Sequence, residues 1–371
     1  MQNEKIPTRQ LIGFFIVSRL SFSISNIAAM HVPPYNQDQW IMVIVSAIYI
    51  IIASIPLLFL ANRIKNDTVK DFMKSLYGKT ISKILGLFYV IYFIIQTINI
   101  LTLQTELVTT SILPESSNAL VTTLMIIVCI YMTSRGIIVI FRAVDLFVPI
   151  IYSFLIVLIL LGVNNVDLSL FSPVFVDSSL LELNKGAIMM ASMYNDIIVI
   201  AMLIPELENK SISTKAFFSI LIVNIVILNI IIIVTQGALG IEYSRHSLFP
   251  FLIYVKLIDV ANIIERIAAI FVLMWLIVVT SRINITLYLA TKIFRDIFEK
   301  EKDDKLMLFV VSVIVWLVSV AITRVRPVVG TREDLNSYLT IIFVIFIIVI
   351  PTITCLVYFF KRKSINKSDN L

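Results

Sequence analysis

Ten stretches of this chain stay apolar for about the 20 residues that an α-helix needs to cross a hydrocarbon core of about 30 Å. They run roughly over 10–30, 39–61, 84–108, 118–134, 143–163, 186–205, 214–236, 263–289, 306–323 and 337–360. Blocks of this length constrain the fold more than any motif. They predict an all-α, polytopic membrane protein with ten transmembrane helices. Of the 371 residues, 59% are hydrophobic and 15% charged, against about 45–50% and about 25% in soluble domains. The opening "MQNEKIPTRQ" leads into a span containing Arg19 without a small-residue cleavage site. It therefore reads as a retained first helix and not a signal peptide.

Lys and Arg accumulate in cytoplasmic loops. With the N-terminus inside, 21 of the 30 basic residues fall in cytoplasmic segments, 6 in outer loops and 3 (Arg19, Arg266 and Arg282) within spans. This bias places both termini in the cytoplasm. The basic segment 62–80 carries Val69, Phe72, Met73 and Leu76 at helical spacing and predicts an amphipathic helix along the membrane surface. The outer segments 164–185 and 237–262 are long enough for short interfacial helices. The tail after Tyr358 is short and polar, so the whole chain, 1–371, reads as one membrane domain.

Ten spans divide into five plus five, and an odd number per half makes the second half inverted. The halves are about 10–163 and 186–360. Inverted repeats place a binding site near the bilayer midplane, where corresponding helices are interrupted. Those helices are the first and the sixth. The sixth contains "ASMYNDIIVIAMLIPELE" (191–208), with Tyr194, Asn195 and Asp196 at its middle, and the first contains "SRLSFSISN" (18–26). Arg19 and Asp196 each lie roughly 14 Å into the core from opposite faces, at 1.5 Å per residue. A charge at that depth costs roughly 2.5–3.5 kcal/mol on insertion scales and is usually paired. Arg19 and Asp196 therefore either pair with each other, directly or through water, or find separate partners. Ser21, Ser23, Ser25 and Asn26 follow Arg19.

Two polar stripes fit a central cavity. Gln96, Asn99, Thr102 and Glu106 fall within about 120° of one face of span three, and Thr280, Asn284 and Tyr288 share a face of span eight. Any of them also serves as interhelical glue. Glu106 reads as solvated near the outer end, and Arg282 as snorkelling to the cytoplasmic end. Hydroxyls, amides, one cation and one anion, with half-helix N-termini nearby, suit a small zwitterion such as an amino acid.

Other chemistries find little support. Cys129 and Cys355 both lie in apolar segments, and His31 and His246 are isolated. There is no disulfide framework and no metal-ligand spacing. Nine glycines leave no phosphate-binding loop, and the net charge of +6 is spread over short loops, which does not suggest nucleic acid. No nucleophile–base constellation points to an enzyme, and no cofactor is expected.

The chain resembles the spore germination B-subunit family, permease-like subunits of nutrient germinant receptors within the amino acid–polyamine–organocation superfamily. The resemblance rests on "IPTRQL", "NQDQW" (36–40), "YGKTISKILGLFYVIYF" (77–93) and the spaced Tyr131, Gly136 and Arg142. It continues in "LFSPVF" (170–175) and "FPFLIYVKLIDVANIIERIAAIFVLMW" (249–275). It implies the LeuT-like form of the inverted repeat and a receptor in the inner membrane of a spore. The implied ligand is a small nutrient, commonly an amino acid. The implied partners are a larger membrane A-type subunit and a lipid-anchored C-type subunit. Two departures stand out. Family members often carry Gly in the middle of span one, and many have Glu where this chain has Asp196. The first leaves Arg19 to meet a ligand carboxylate. An autonomous proton- or Na⁺-coupled amino acid permease, with Asp196 as the coupling group, is the competing expectation, and a scaffold whose cavity no longer binds is a third.

Overall fold

The computed structural model describes residues 5–26, 32–64, 68–209, 211–258, 265–298, 304–325 and 332–368. Among these, the helices are α1 Thr8–Asn26, α2 Gln39–Ala61, α3 Val69–Ser111, α4 Asn118–Ser134, α5 Ile137–Gly162, α6 Leu180–Ser192 and α7 Ile197–Leu203. They continue with α8 Thr214–Leu239, α9 Ile241–His246, α10 Pro250–Leu257, α11 Glu265–Phe298, α12 Asp304–Val325, α13 Arg332–Phe343 and α14 Ile350–Ser368. Eight of the ten expected spans are long and apolar enough to cross a membrane. The other two are α4, with 17 residues, and α1, with 19.

The sequence explains which surfaces these helices show. On α2, Ile44, Ile48, Ile52 and Ile55 are exposed, and on α4 so are Leu120, Leu124, Ile127 and Tyr131. Both sets recur at three- and four-residue spacing, which draws an apolar stripe along one helical face. Such stripes would drive aggregation in water and are the expected outer surface in lipid. The protein is an integral, multi-pass membrane protein.

Packing follows a two-fold plan. α1 packs on α5 and α8, and its counterpart, the α6–α7 pair, packs on α13 and α2. The equivalent helices α3 and α11 pack on each other, as do α2 with α8 and α4 with α12, while α3·α12 mirrors α4·α11. This pairing is that of the LeuT-like fold. The sixth span lies at its centre: 89% of its apolar window is buried, against at most 50% in the other seven spans that are long and apolar enough to cross a membrane. Gly186 permits this, because a Cβ there would collide with the Pro33 carbonyl oxygen.

Connections match the sequence reading. Val69–Tyr77 forms the amphipathic arm, capped by the Thr68 side chain and turned into the third span at Gly78, whose φ of 79° favours glycine. Phe72 and Leu76 of the arm are buried with Leu60, Ile64 and Tyr358. The segment 163–179 holds two 3₁₀ turns. At the second turn, Asp167 accepts hydrogen bonds from Ser169, which hold its carboxyl below the usual carboxylate range. This segment docks on the "NQD" stretch: the buried Asp38 carboxylate accepts from the Phe175 amide and the Ser178 hydroxyl. The expected short helices of 237–262 are α9 and α10.

Among the described residues, one of the two expected interruptions is present. Met193–Asp196 separates α6 from α7. α1 is uninterrupted from Thr8 to Asn26, so its stretch 21–26 continues the helix, and residues 27–31 lie outside the described part. The last span also departs from regular α-helix, through a π-helical turn at Val344–Val349.

Candidate functional site

The break at Met193–Asp196 interrupts the helical hydrogen-bond ladder, and backbone carbonyls at membrane depth need partners. Side chains from neighbouring helices take two of these. Arg19 Nη1 donates to the Met193 carbonyl at 2.6 Å, and the Tyr92 hydroxyl donates to the Asn195 carbonyl at 3.0 Å. The Arg19 guanidinium also stacks 3.7 Å above the Tyr194 ring. This cation–π contact is strong where water is excluded.

Asp196 is held by Arg282. Arg282 Nη2 and Nε donate to Asp196 Oδ1 at 2.8 and 3.1 Å, and the Ser18 hydroxyl donates to Oδ2 at 3.2 Å. Both partners of the pair are buried, at 5% and 8% side-chain exposure. Of the two alternatives for Arg19 and Asp196, separate partners are what the structure shows: Asp196 pairs with Arg282, which does not snorkel. The physical reason is the length of α11. It continues to Phe298, nine residues beyond the apolar stretch, so Arg282 lies at mid-span instead of near an end. Arg19 still belongs to the same cluster: Asp196 and Arg282 are both within electrostatic reach of its guanidinium. Two arginines and one carboxylate thus meet at the break, a net positive charge among the described residues.

The remaining expected residues divide. Tyr194 and Asn195 are buried in the break itself, and the Asn195 Oδ1 has no hydrogen-bond partner among the described residues. Gln96 is buried one turn along α3 from Tyr92, and its amide nitrogen and that of Asn99 also lack partners among those residues. Glu106 is buried, not solvated. Asn284 is placed elsewhere: its Oδ1 lies 3.5 Å from the Thr133 hydroxyl of α4. Thr280 and Asn284 are each two residues from Arg282, about 200° around the helix, so their shared face points away from Asp196. The backbones of Ser21, Ser23, Ser25 and Asn26 continue α1, and their side chains lie outside what the structure describes.

The α7 segment is clamped at both ends, by α11 on one side and by α1 and the residues leading into it on the other. Ten residues below Asp196, Glu206 pairs with Lys292, which lies ten residues below Arg282 on α11. On the α1 side, Lys5 donates to the Pro205 carbonyl, and Ile6 makes a parallel backbone bridge to Leu207, with hydrogen bonds of 2.9 and 3.1 Å. Hence α11, together with α1 above and the residues that lead into α1 below, grips α7 at two levels about 15 Å apart.

Ser18, Tyr92 and Arg282 were not among the expected site residues. A signal for Arg282 existed, since a charge inside an apolar block seeks a buried partner. Ser18 and Tyr92 carry no such signal, because a serine or tyrosine in a membrane helix is ordinary packing. The π-helical turn adds Phe346, whose ring lies 4.7 Å from that of Tyr92.

A family model described as "Spore germination protein" matches residues 5–327. The chain belongs to this family. Among curated relatives, spore germination protein KB of Bacillus subtilis (strain 168) is 22% identical, covering 99% of this chain and 98% of that protein. Spore germination protein XB of Bacillus anthracis is 23% identical over 76% of this chain and 78% of that protein. Among solved structures, MhsT in complex with L-phenylalanine superposes with TM-score 0.65 at 15% identity, covering 96% of this chain and 89% of MhsT. A substrate-bound, outward-open Na⁺-coupled sialic acid symporter gives TM-score 0.58 at 15% identity, covering 91% and 78%. At such identities the likeness is one of fold, and the spore germination permeases share it with transporters.

Proposed function

We propose that this protein is the permease-like subunit of a spore nutrient germinant receptor. It binds a small nutrient, an amino acid, at the broken sixth span and signals germination through a larger membrane subunit and a lipid-anchored one. The observation that carries this reading is the net positive cluster of Arg19, Arg282 and Asp196 at a helix break in a member of this family. Since Arg282 occupies Asp196, the ligand's carboxylate meets Arg19. Its ammonium meets Asn195 Oδ1 and carbonyl oxygens of the break. The lysine-rich end of the bundle, with both termini, faces the cytoplasm on the positive-inside argument.

Signalling requires a ligand that prefers one conformation, because equal affinity for two states shifts nothing. The double clamp supplies two states: α7 gripped at both levels, or released at one. Carboxylate binding at Arg19 competes with its bond to the Met193 carbonyl and so loosens the upper grip. A second reading, an autonomous amino acid permease, is favoured by the superposition on MhsT with bound L-phenylalanine and on a Na⁺-coupled symporter. Reconstituted protein exposed to a panel of labelled amino acids separates the two. Saturable binding without internal accumulation supports the receptor; accumulation driven by a proton or Na⁺ gradient makes it a permease.

A further inference from the structure

A ligand-sized space lies away from the helix break. A cavity of about 270 Å³ sits between the Val69–Tyr77 arm, α3, α11 and the end of the sixth span. Its lining includes Lys5, Lys70, Lys74, Lys79, Lys83 and Lys292, against the carboxylates Glu206 and Asp296. Of these, Lys292 pairs with Glu206 and Lys5 donates to Pro205; six lysines against two carboxylates leave the lining basic, and the arm contributes Lys70 and Lys74. The walls behind the lysines are apolar and include Leu57, Phe72, Met73 and Ile297. The same stretch of α3 shows Ile81, Ile84, Leu87 and Phe88 on its outer face. Lipid-facing surface therefore runs up to residues that line the cavity. A basic rim over an apolar pocket at the membrane surface is chemistry suited to a phosphate group carrying an acyl chain.

We propose that this cavity binds an anionic phospholipid of the inner leaflet, with its phosphate among the lysines of the arm and the upper acyl chain against the apolar wall. Its occupancy couples to the arm's position, because the arm is the wall that carries Lys70 and Lys74. Zwitterionic lipid lacks the net charge and binds weakly. The proposal does not depend on what the helix break binds.

The test uses full-length protein in detergent, titrated with phosphatidylglycerol, phosphatidylcholine or glycerol phosphate and followed by native mass spectrometry. Phosphatidylglycerol adducts should persist and phosphatidylcholine adducts should not. At about 1 kcal/mol per basic residue near an anionic surface, Lys70→Gln with Lys74→Gln should weaken phosphatidylglycerol roughly 30-fold. Both lysines are at least partly exposed, so their replacement leaves the fold intact. Ser82→Trp, which fills the cavity with every lysine in place, should also remove the adduct. Equal retention of both lipids, or phosphatidylglycerol binding unchanged in the lysine variant, overturns the proposal. Glycerol phosphate binding as tightly as phosphatidylglycerol overturns the acyl-chain part and assigns the site to a free phosphate.

Discussion

The two ends of α7 carry the same motif in different surroundings. At each end a carboxylate pairs with a cation of α11, and backbone beside it is bound by α1 (Arg19) above and by Lys5 and Ile6, just before α1, below. At the upper end the Asp196–Arg282 side chains are 8% and 5% exposed; at the lower end Glu206 and Lys292 are 28% and 17% exposed. Coulomb attraction between desolvated charges is strong, and so is the penalty for orphaning one of them. A pair with access to water is screened and contributes about 0–1 kcal/mol. The upper clamp is therefore a fixed part of the fold that only a charged ligand can rearrange. The lower clamp is the end that opens readily.

The largest effect should come from the upper pair. Asp196→Ala should cost about 3–5 kcal/mol by leaving Arg282 buried without its carboxylate, seen as loss of protein from the membrane fraction. Reversing the pair, Asp196→Arg with Arg282→Asp, should recover membrane levels better than either single change. Reversing Asp196 with Arg19 should not. Recovery with Arg19 instead would break the comparison at its root.

Next in size is Arg19→Gln, which removes a charged hydrogen bond worth about 1.5–3 kcal/mol. Thermal unfolding in detergent should fall accordingly, and ligand affinity should drop roughly 10- to 100-fold if the carboxylate binds there. Tyr92→Phe removes one neutral hydrogen bond to the Asn195 carbonyl and should cost about 0.5–1.5 kcal/mol. The smallest effect belongs to the lower clamp. Lys292→Gln should cost about 1 kcal/mol or less, and the loss should shrink further at high salt. A cost at Lys292 equal to that at Arg282, independent of salt, would show the two ends to be alike.

Much of this was legible in the residues. The predicted spans 39–61 and 118–134 coincide with α2 and α4, and the amphipathic arm and the break beside Asp196 stand where their patterns placed them. Long apolar blocks are legible because lipid imposes length and polarity together. Partner choice at the break was not. It depended on where α11 ends, and its last turns are polar (Thr291, Lys292, Arg295 and Asp296), so hydropathy cut the helix short and moved Arg282 off the midplane. The face formed by Thr280 and Asn284 was a correct stripe on the wrong side of its helix. Periodicity defines a face without saying what it meets. The course of α1 shows that Ser21, Ser23 and Ser25 do not by themselves open a helix.

In the proposed receptor, Arg19 at the helix break recognises the carboxylate of an amino acid. The most direct measurement is equilibrium binding of a saturating labelled amino acid to the purified full-length protein, competed by the same compound and by its decarboxylated amine. In the wild type the amino acid should compete and the amine should not; in Arg19→Gln this discrimination should vanish along with tight binding. An amine that competes as well as the amino acid, or discrimination that survives in Arg19→Gln, would contradict this role for Arg19.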